Sequence, residues 1–171
     1  MFTAYGLADL IGYVFTTHQE KARKPSKAVR KWDSRTPYGV HPVWCAVTLL
    51  QEDTLPEDLR VRGAWALLLH DILEDTTAEL PANTPEEVVA LVGEMTFPGG
   101  SAQEMKEIWS RSKETKLLKL YDKTSNLQDG TWMFTEKRAK YAAYLLRLCE
   151  EVERHYGAKL NILRIARALA R

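Results

Sequence analysis

Apolar residues recur along this chain at a spacing near 3.6, and that spacing constrains the fold more than any other feature of the sequence. Leu7, Leu10, Ile11, Val14 and Phe15 lie on one face of a helix. Pro42 to Gln51 forms a second apolar segment, with Pro42 suited to a first helical turn, where its missing N–H leaves no bond unmade. Thr54, followed by Pro56, Glu57 and Asp58, reads as a cap and acidic first turn opening a helix that runs to about His70. Thr84-Pro85-Glu86-Glu87 repeats that start signal. After the break at Pro98-Gly99-Gly100, Ser101 and Glu104 resemble a capping box. Two longer helices are predicted over about Lys113–Asp129 and Thr135–Tyr156. Each is followed by a glycine, Gly130 or Gly157, which accepts a left-handed stop without a Cβ clash. A last helix covers about Leu160 to Ala170. No alternating pattern of useful length points to a strand, so the expected fold is all-α. No repeat, low-complexity tract or linker divides residues 1–171, which suit one domain with its own hydrophobic core.

Charge and cysteine usage narrow the partners. The formal net charge is +1, so no global field draws the chain to nucleic acid or to an anionic membrane, and anion binding must come from local clusters. No apolar run reaches membrane-spanning length. The opening segment carries Asp9 and lacks an early basic region, unlike a signal peptide. Cys45 and Cys149 each stand alone in apolar context, which argues against a cysteine zinc site and for buried thiols in a reducing compartment. The expected location is the cytoplasm. Monomer and homo-oligomer both stay open.

The most informative segment is Leu69-His70-Asp71-Ile72-Leu73-Glu74-Asp75-Thr76, at the polar end of the apolar run Ala64–Leu69. Ligand-type and acidic residues immediately after a buried run are costly near a core without a partner, and a divalent cation is one such partner. The simpler alternative is a helix that ends and lets its charges meet water. Thr36-Pro37-Tyr38-Gly39-Val40-His41-Pro42 upstream and Lys119-Leu120-Tyr121-Asp122-Lys123-Thr124-Ser125-Asn126-Leu127-Gln128-Asp129 downstream shift the balance. Together the segments offer two imidazoles and two carboxylates on three helices. Mixed nitrogen and oxygen donors suit Mn²⁺, Fe²⁺ or Zn²⁺ rather than Ca²⁺ in an all-oxygen cage.

TPYGVHP, HDILED and KLYDKTSNLQD, in that order, resemble the hydrolase domain of the RelA/SpoT family, and above all its small single-domain alarmone hydrolases within the HD superfamily. The resemblance runs from about His18 to Asp129. It implies an HD-domain helical bundle and a metal, Mn²⁺ in the family, bound by His41, His70, Asp71 and Asp122. It assigns acid–base and water-positioning work to Glu74 and Asp75, nucleotide contact to Asn126, and shaping of the site to Tyr38. The family reaction removes pyrophosphate from the 3′ position of a guanosine nucleotide. Helical spacing agrees with these roles: Asp122 and Asn126, His70 and Glu74, and Asp71 and Asp75 are each four apart and share a face where helical geometry persists.

A phosphate-rich substrate calls for cations. Residues 21–35 contain Lys21, Arg23, Lys24, Lys27, Arg30, Lys31 and Arg35 against a single acid, Asp33. Family members carry an Arg-Lys pair shortly before the Pro-Tyr motif, the arginine packing on the guanine. Here Arg23-Lys24 is separated from Pro37-Tyr38 by an apparent insertion, and Arg30-Lys31 is nearer but precedes Trp32-Asp33. Either pair could serve, or Trp32 could stack on the base. Lys119 and Lys123 flank Asp122 as further phosphate contacts, although at i−3 and i+1 they are not expected both to share its face. Tyr141, Tyr144, Leu145, Leu148 and Val152 read as one core-facing stripe, His155 as a favourable charge at a helix end, and His18 as a structural histidine near the site. Two other functions stay open: an HD-type nucleotidase or phosphatase for another nucleotide or phosphorylated cofactor, and a non-catalytic nucleotide-binding regulator.

Overall fold

The computed structural model describes residues 4–171, and the helical spacing of the sequence is realised throughout. In chain order the helices are α1 (Ala4–Lys21), α2 (Val40–Leu50), α3 (Glu57–Leu69), α4 (Ile72–Asp75), α5 (Glu86–Met95), α6 (Gly100–Glu107), α7 (Lys113–Gln128), α8 (Thr135–Tyr156) and α9 (Asn161–Leu169). Among the described residues, β pairing is confined to two isolated antiparallel bridges, Ala22 with Thr76 and Val29 with Pro37. The protein is an all-α bundle. None of its described helices is long and apolar enough to cross a membrane.

The core explains the order of burial. Leu10 and Val14 of α1, Cys45 and Leu49 of α2, and Leu67, Leu68 and Leu69 of α3 pack into one apolar cluster. Helix α7 runs through its centre, with Leu117, Leu118, Leu120 and Tyr121 fully buried, and packs against α2, α5, α8 and α9. A helix buried nearly all round must pair every polar side chain it carries. That requirement applies directly to Lys119, Asp122 and Lys123 of α7.

Helix ends follow the sequence signals only in part. Ser112 caps α7 by accepting from the Thr115 N–H at 3.2 Å, and Gly157 closes α8 with φ +83°. Gly130 does not adopt that conformation and instead opens a 3₁₀ turn over Gly130–Trp132. Neither Thr54 nor Thr84 caps its helix; Thr84 Oγ1 donates back to the Pro81 carbonyl. The expected Ser101–Glu104 capping box is absent as well. Gln103 reaches the Gly99 N–H instead, and Glu104 turns into the protein. The start of α9 is served by a residue far away in sequence: buried Glu52 accepts from the N–H groups of Asn161 and Ile162 at 2.9 and 2.8 Å and from the Tyr121 hydroxyl at 3.1 Å.

Residues 22–39, which include the apparent insertion between Lys24 and Pro37, fold as an ordered loop. Arg30 N–H donates to the Thr36 carbonyl and Tyr38 N–H to the Ala28 carbonyl, while the Asp33 carboxylate accepts from Arg35 and Thr36. The loop holds Arg30 and Tyr38 together at the mouth of α2.

Candidate metal centre and cavity

Two helix ends and the middle of a third helix meet at one point. His41 lies in the first turn of α2, His70 follows the last residue of α3, and Asp122 sits in α7. The helical ladder pauses at His70 and Asp71. It resumes when Asp75 N–H donates to the Asp71 carbonyl, so Glu74 and Asp75 fall on a short new turn.

His41, His70 and Asp71 each present a ligand atom within 4.8 Å of the others'. His70 Nε2 lies 3.0 Å from Asp71 Oδ2 and 3.8 Å from Asp122 Oδ1. His41 Nε2 lies 3.7 and 3.4 Å from the same two oxygens. Both Nε2 atoms are buried, and neither makes an aligned hydrogen bond. Their other ring nitrogens are engaged: His70 Nδ1 with the Leu67 carbonyl at 2.7 Å, His41 Nδ1 with Ser125 Oγ at 2.8 Å. The Leu67 carbonyl only accepts, so it holds a proton on His70 Nδ1 and leaves Nε2 facing the carboxylates. Two buried, unpartnered imidazole nitrogens beside two carboxylates fit a divalent cation of the borderline class.

The electrostatics agree. Burial drives His41 down to about 4 despite the adjacent Asp122. Burial works against charge on His70 too, but Asp71 and Asp122 outweigh it and hold that imidazole at about 10. Asp71 stays well below the usual carboxylate range because protonated His70 offsets its desolvation, and Asp122 because Lys123 and Lys119 do.

Around this core the other sequence-predicted residues fall into place unevenly. Tyr38 donates its hydroxyl to Asp71 Oδ2 at 2.5 Å, and its ring lies against His18. His18 is therefore next to the site, buried, with Nδ1 near the Lys27 carbonyl. Asn126 is no surface residue: its Nδ2 donates to Asp122 Oδ1 at 2.6 Å and its Oδ1 accepts from Arg30. Arg30, buried, also binds Asp129 and covers the Tyr38 ring at 5.2 Å. Asp75 pairs with Lys27 at 2.6 Å, and Glu74 accepts from the Phe97 N–H. Burial raises the proton affinity of both carboxylates.

The two Arg-Lys pairs differ in position. Arg30 and Lys31 line the cavity that opens onto the cluster; Arg23 and Lys24 are exposed and outside it. The physical reason is that the chain after α1 spends Ala22 and Arg23 on backbone pairing with the end of α4, Arg23 N–H donating to the Asp75 carbonyl. Trp32, 49% exposed, is also outside the cavity.

Lys119 and Lys123 overturn the expectation drawn from spacing. Both ammonium groups lie 3.1 Å from Asp122 Oδ2, and both reach Glu104, at 3.2 and 2.8 Å. They are four apart and share a face with each other, and their length lets both bend to the carboxylate between them. Glu104 accepts in addition from the Tyr144 hydroxyl at 3.0 Å. Burial disfavours charge on both lysines, yet the two carboxylates raise their proton affinities, Lys123 well above the usual value.

Some residues of the site escaped the sequence reading. Ser125, which engages His41 Nδ1, was within reach of it, lying three residues after Asp122 on the same helical face. Trp132, Lys137 and Tyr141 line the cavity. Nothing in their spacing marks them, and Tyr141 belongs by pattern to the core stripe. It is only half-buried, whereas Tyr144, Leu145, Leu148 and Val152 are buried as expected.

Fold and cluster together define an all-α bundle that gathers a His and Asp set able to hold a divalent ion. Among solved structures the chain is similar to a metazoan ortholog of SpoT, described as hydrolysing ppGpp and playing a role in starvation responses. The match has a TM-score of 0.71 at 22% identity and covers 99% of this chain and 96% of that one. At that identity the likeness establishes the fold. No protein-family model matches the sequence, and no curated protein matches it.

Proposed function

We propose that this chain is a metal-dependent phosphohydrolase that removes the 3′-pyrophosphate of a (p)ppGpp-like nucleotide. The observation that carries the reading is the convergence of two buried, unpartnered Nε2 atoms, of His41 and His70, with the carboxylates of Asp71 and Asp122. The activity described for the metazoan SpoT ortholog of the same fold supports the choice of substrate. His41, His70, Asp71 and Asp122 would hold the ion, with Mn²⁺ the best candidate. A divalent cation there would supply Lewis-acid charge for polarising a phosphoryl oxygen and acidifying a water.

The chain's own residues do the rest. Glu74 and Asp75, with proton affinities raised by burial, receive or steer the proton of the attacking water. Water forms the new bond to phosphorus, the bond from phosphorus to the 3′ oxygen breaks, and that oxygen leaves with a proton. Arg30 and Asn126, already joined to each other, contact the nucleotide. Lys119 and Lys123 set the charge around Asp122 and line the cavity that would take the phosphate.

A nucleotide panel with Mn²⁺ tests this reading. Guanosine 3′,5′-bis(diphosphate) is expected to release pyrophosphate. Orthophosphate from a nucleoside monophosphate instead would make the chain a nucleotidase, and nucleotide binding without any turnover would make it a regulator. Tyr38→Phe removes the hydroxyl that fixes Asp71 while keeping the ring on His18. Mn²⁺ affinity or turnover is expected to fall about 10- to 100-fold, and unchanged values on both measures would show that Tyr38 does not orient the cluster.

A further inference from the structure

The cavity reaches a second group of residues that the metal cluster does not use. Lys31 comes from the loop after α1, Trp132 from the 3₁₀ turn before α8, and Lys137 from the first turn of α8. Lys31 Nζ lies 4.5 Å and Lys137 Nζ 4.6 Å from the Trp132 ring centroid. Every other lysine or arginine lining the cavity is matched by a carboxylate: Lys27 by Asp75, Arg30 by Asp129, and Lys119 and Lys123 by Glu104 and Asp122. Among the described residues, Lys31 and Lys137 have no such ion pair. The indole attracts both ammonium groups through its π face but cannot neutralise them. Lys31 feels the result: burial, then Lys27 and Lys137, push its proton affinity below that of an ordinary lysine. Cations gathered without a counterion on a rigid aromatic support form a preorganised anion site.

We propose that Lys31, Lys137 and Trp132 form a second anion subsite, which takes a phosphate or diphosphate group of the substrate other than the one removed. This rests on the hydrolase reading above for its substrate, but the subsite itself is testable without turnover. The subsite selects nucleotides that carry phosphate at two positions. Trp132 is a positioning residue that holds the two ammonium groups in place.

The test compares wild type with Lys137→Met and with Lys140→Met, a charge-matched control on the same helix whose lysine is exposed and outside this cavity. In the full chain, with and without Mn²⁺, guanosine 5′-diphosphate is titrated against unphosphorylated guanosine. Lys137→Met is expected to weaken guanosine 5′-diphosphate about tenfold, the scale of one charge-assisted contact, and to leave guanosine and the Lys140→Met titrations unchanged. In turnover, the preference for guanosine 3′,5′-bis(diphosphate) over guanosine 3′-diphosphate, read as a ratio of KM values, is expected to fall by a similar factor. Equal behaviour of Lys137→Met and Lys140→Met would overturn the subsite. Equal loss of guanosine and guanosine 5′-diphosphate would make the surface a base shelf and refute the anion assignment. A titration difference without any hydrolysis would uphold the subsite while refuting the hydrolase reading; hydrolysis with no difference would do the reverse.

Discussion

Asp71→Ala is expected to lower Mn²⁺-dependent hydrolysis by roughly three orders of magnitude or more, because it removes both a proposed metal ligand and the anchor of Tyr38. Asp71 is the carboxylate nearest to His70 Nε2, at 3.0 Å, and it also faces His41. Without it the two imidazoles and Asp122 form an incomplete, less negative set. A second measurement does not depend on substrate. An ion that binds the native state alone, at about 100 times its Kd, adds about 2.7 kcal/mol, which for a chain of this size raises Tm by about 5–10 °C. Wild type is expected to show that rise on adding Mn²⁺, and Asp71→Ala to lose it. A variant that matched wild type on every substrate and in its Mn²⁺-dependent melting would exclude this metal centre.

The largest effect on stability is expected at Glu104. Its buried carboxylate serves Lys119, Lys123 and Tyr144 together. Removing one partner from a buried ionic network strands the others in low dielectric, at a cost of about 3–5 kcal/mol, so Glu104→Ala is expected to lower Tm by on the order of 10 °C. Both lysines would then lean on Asp122 alone and compete with a cation for its charge, so Mn²⁺ affinity is expected to fall as well. Glu104→Gln keeps an acceptor for Tyr144 and should melt between the two. A Glu104→Ala protein that melted within a degree or two of wild type would show that water, not Glu104, satisfies the two lysines.

Which parts of this site were legible in the sequence follows from how far each interaction reaches along the chain. His70, Asp71, Glu74 and Asp75 lie within six residues, and Asp122 and Asn126 one helical turn apart, so short motifs and the resemblance they carry grouped them, with helical spacing in agreement. Ser125 was readable by the same rule. The selection of Arg30 over Arg23 was not, because it depends on which part of the 22–39 loop pairs with the α4 turn. Glu104 was misread because a Ser-x-x-Glu pattern is a local signal, whereas two buried lysines on α7 form a stronger, non-local claim on the same carboxylate. Lys119 and Lys123 were misread for a related reason. Backbone spacing describes where side chains start, and four-carbon stems decide where they end.

The sequence by itself determined an all-α chain, the extents of its long helices, and a set of His and Asp residues suited to a divalent ion. Those features depend on periodicity and on short motifs, which are properties of neighbouring residues. Only the tertiary structure decided that two imidazole nitrogens would be buried without hydrogen-bond partners and that Asn126 would bridge Asp122 to Arg30. Only it brought Lys31 and Lys137, more than a hundred residues apart, together on Trp132. Burial, charge pairing and cavity shape arise where helices distant in sequence meet, and no spacing along one helix encodes them.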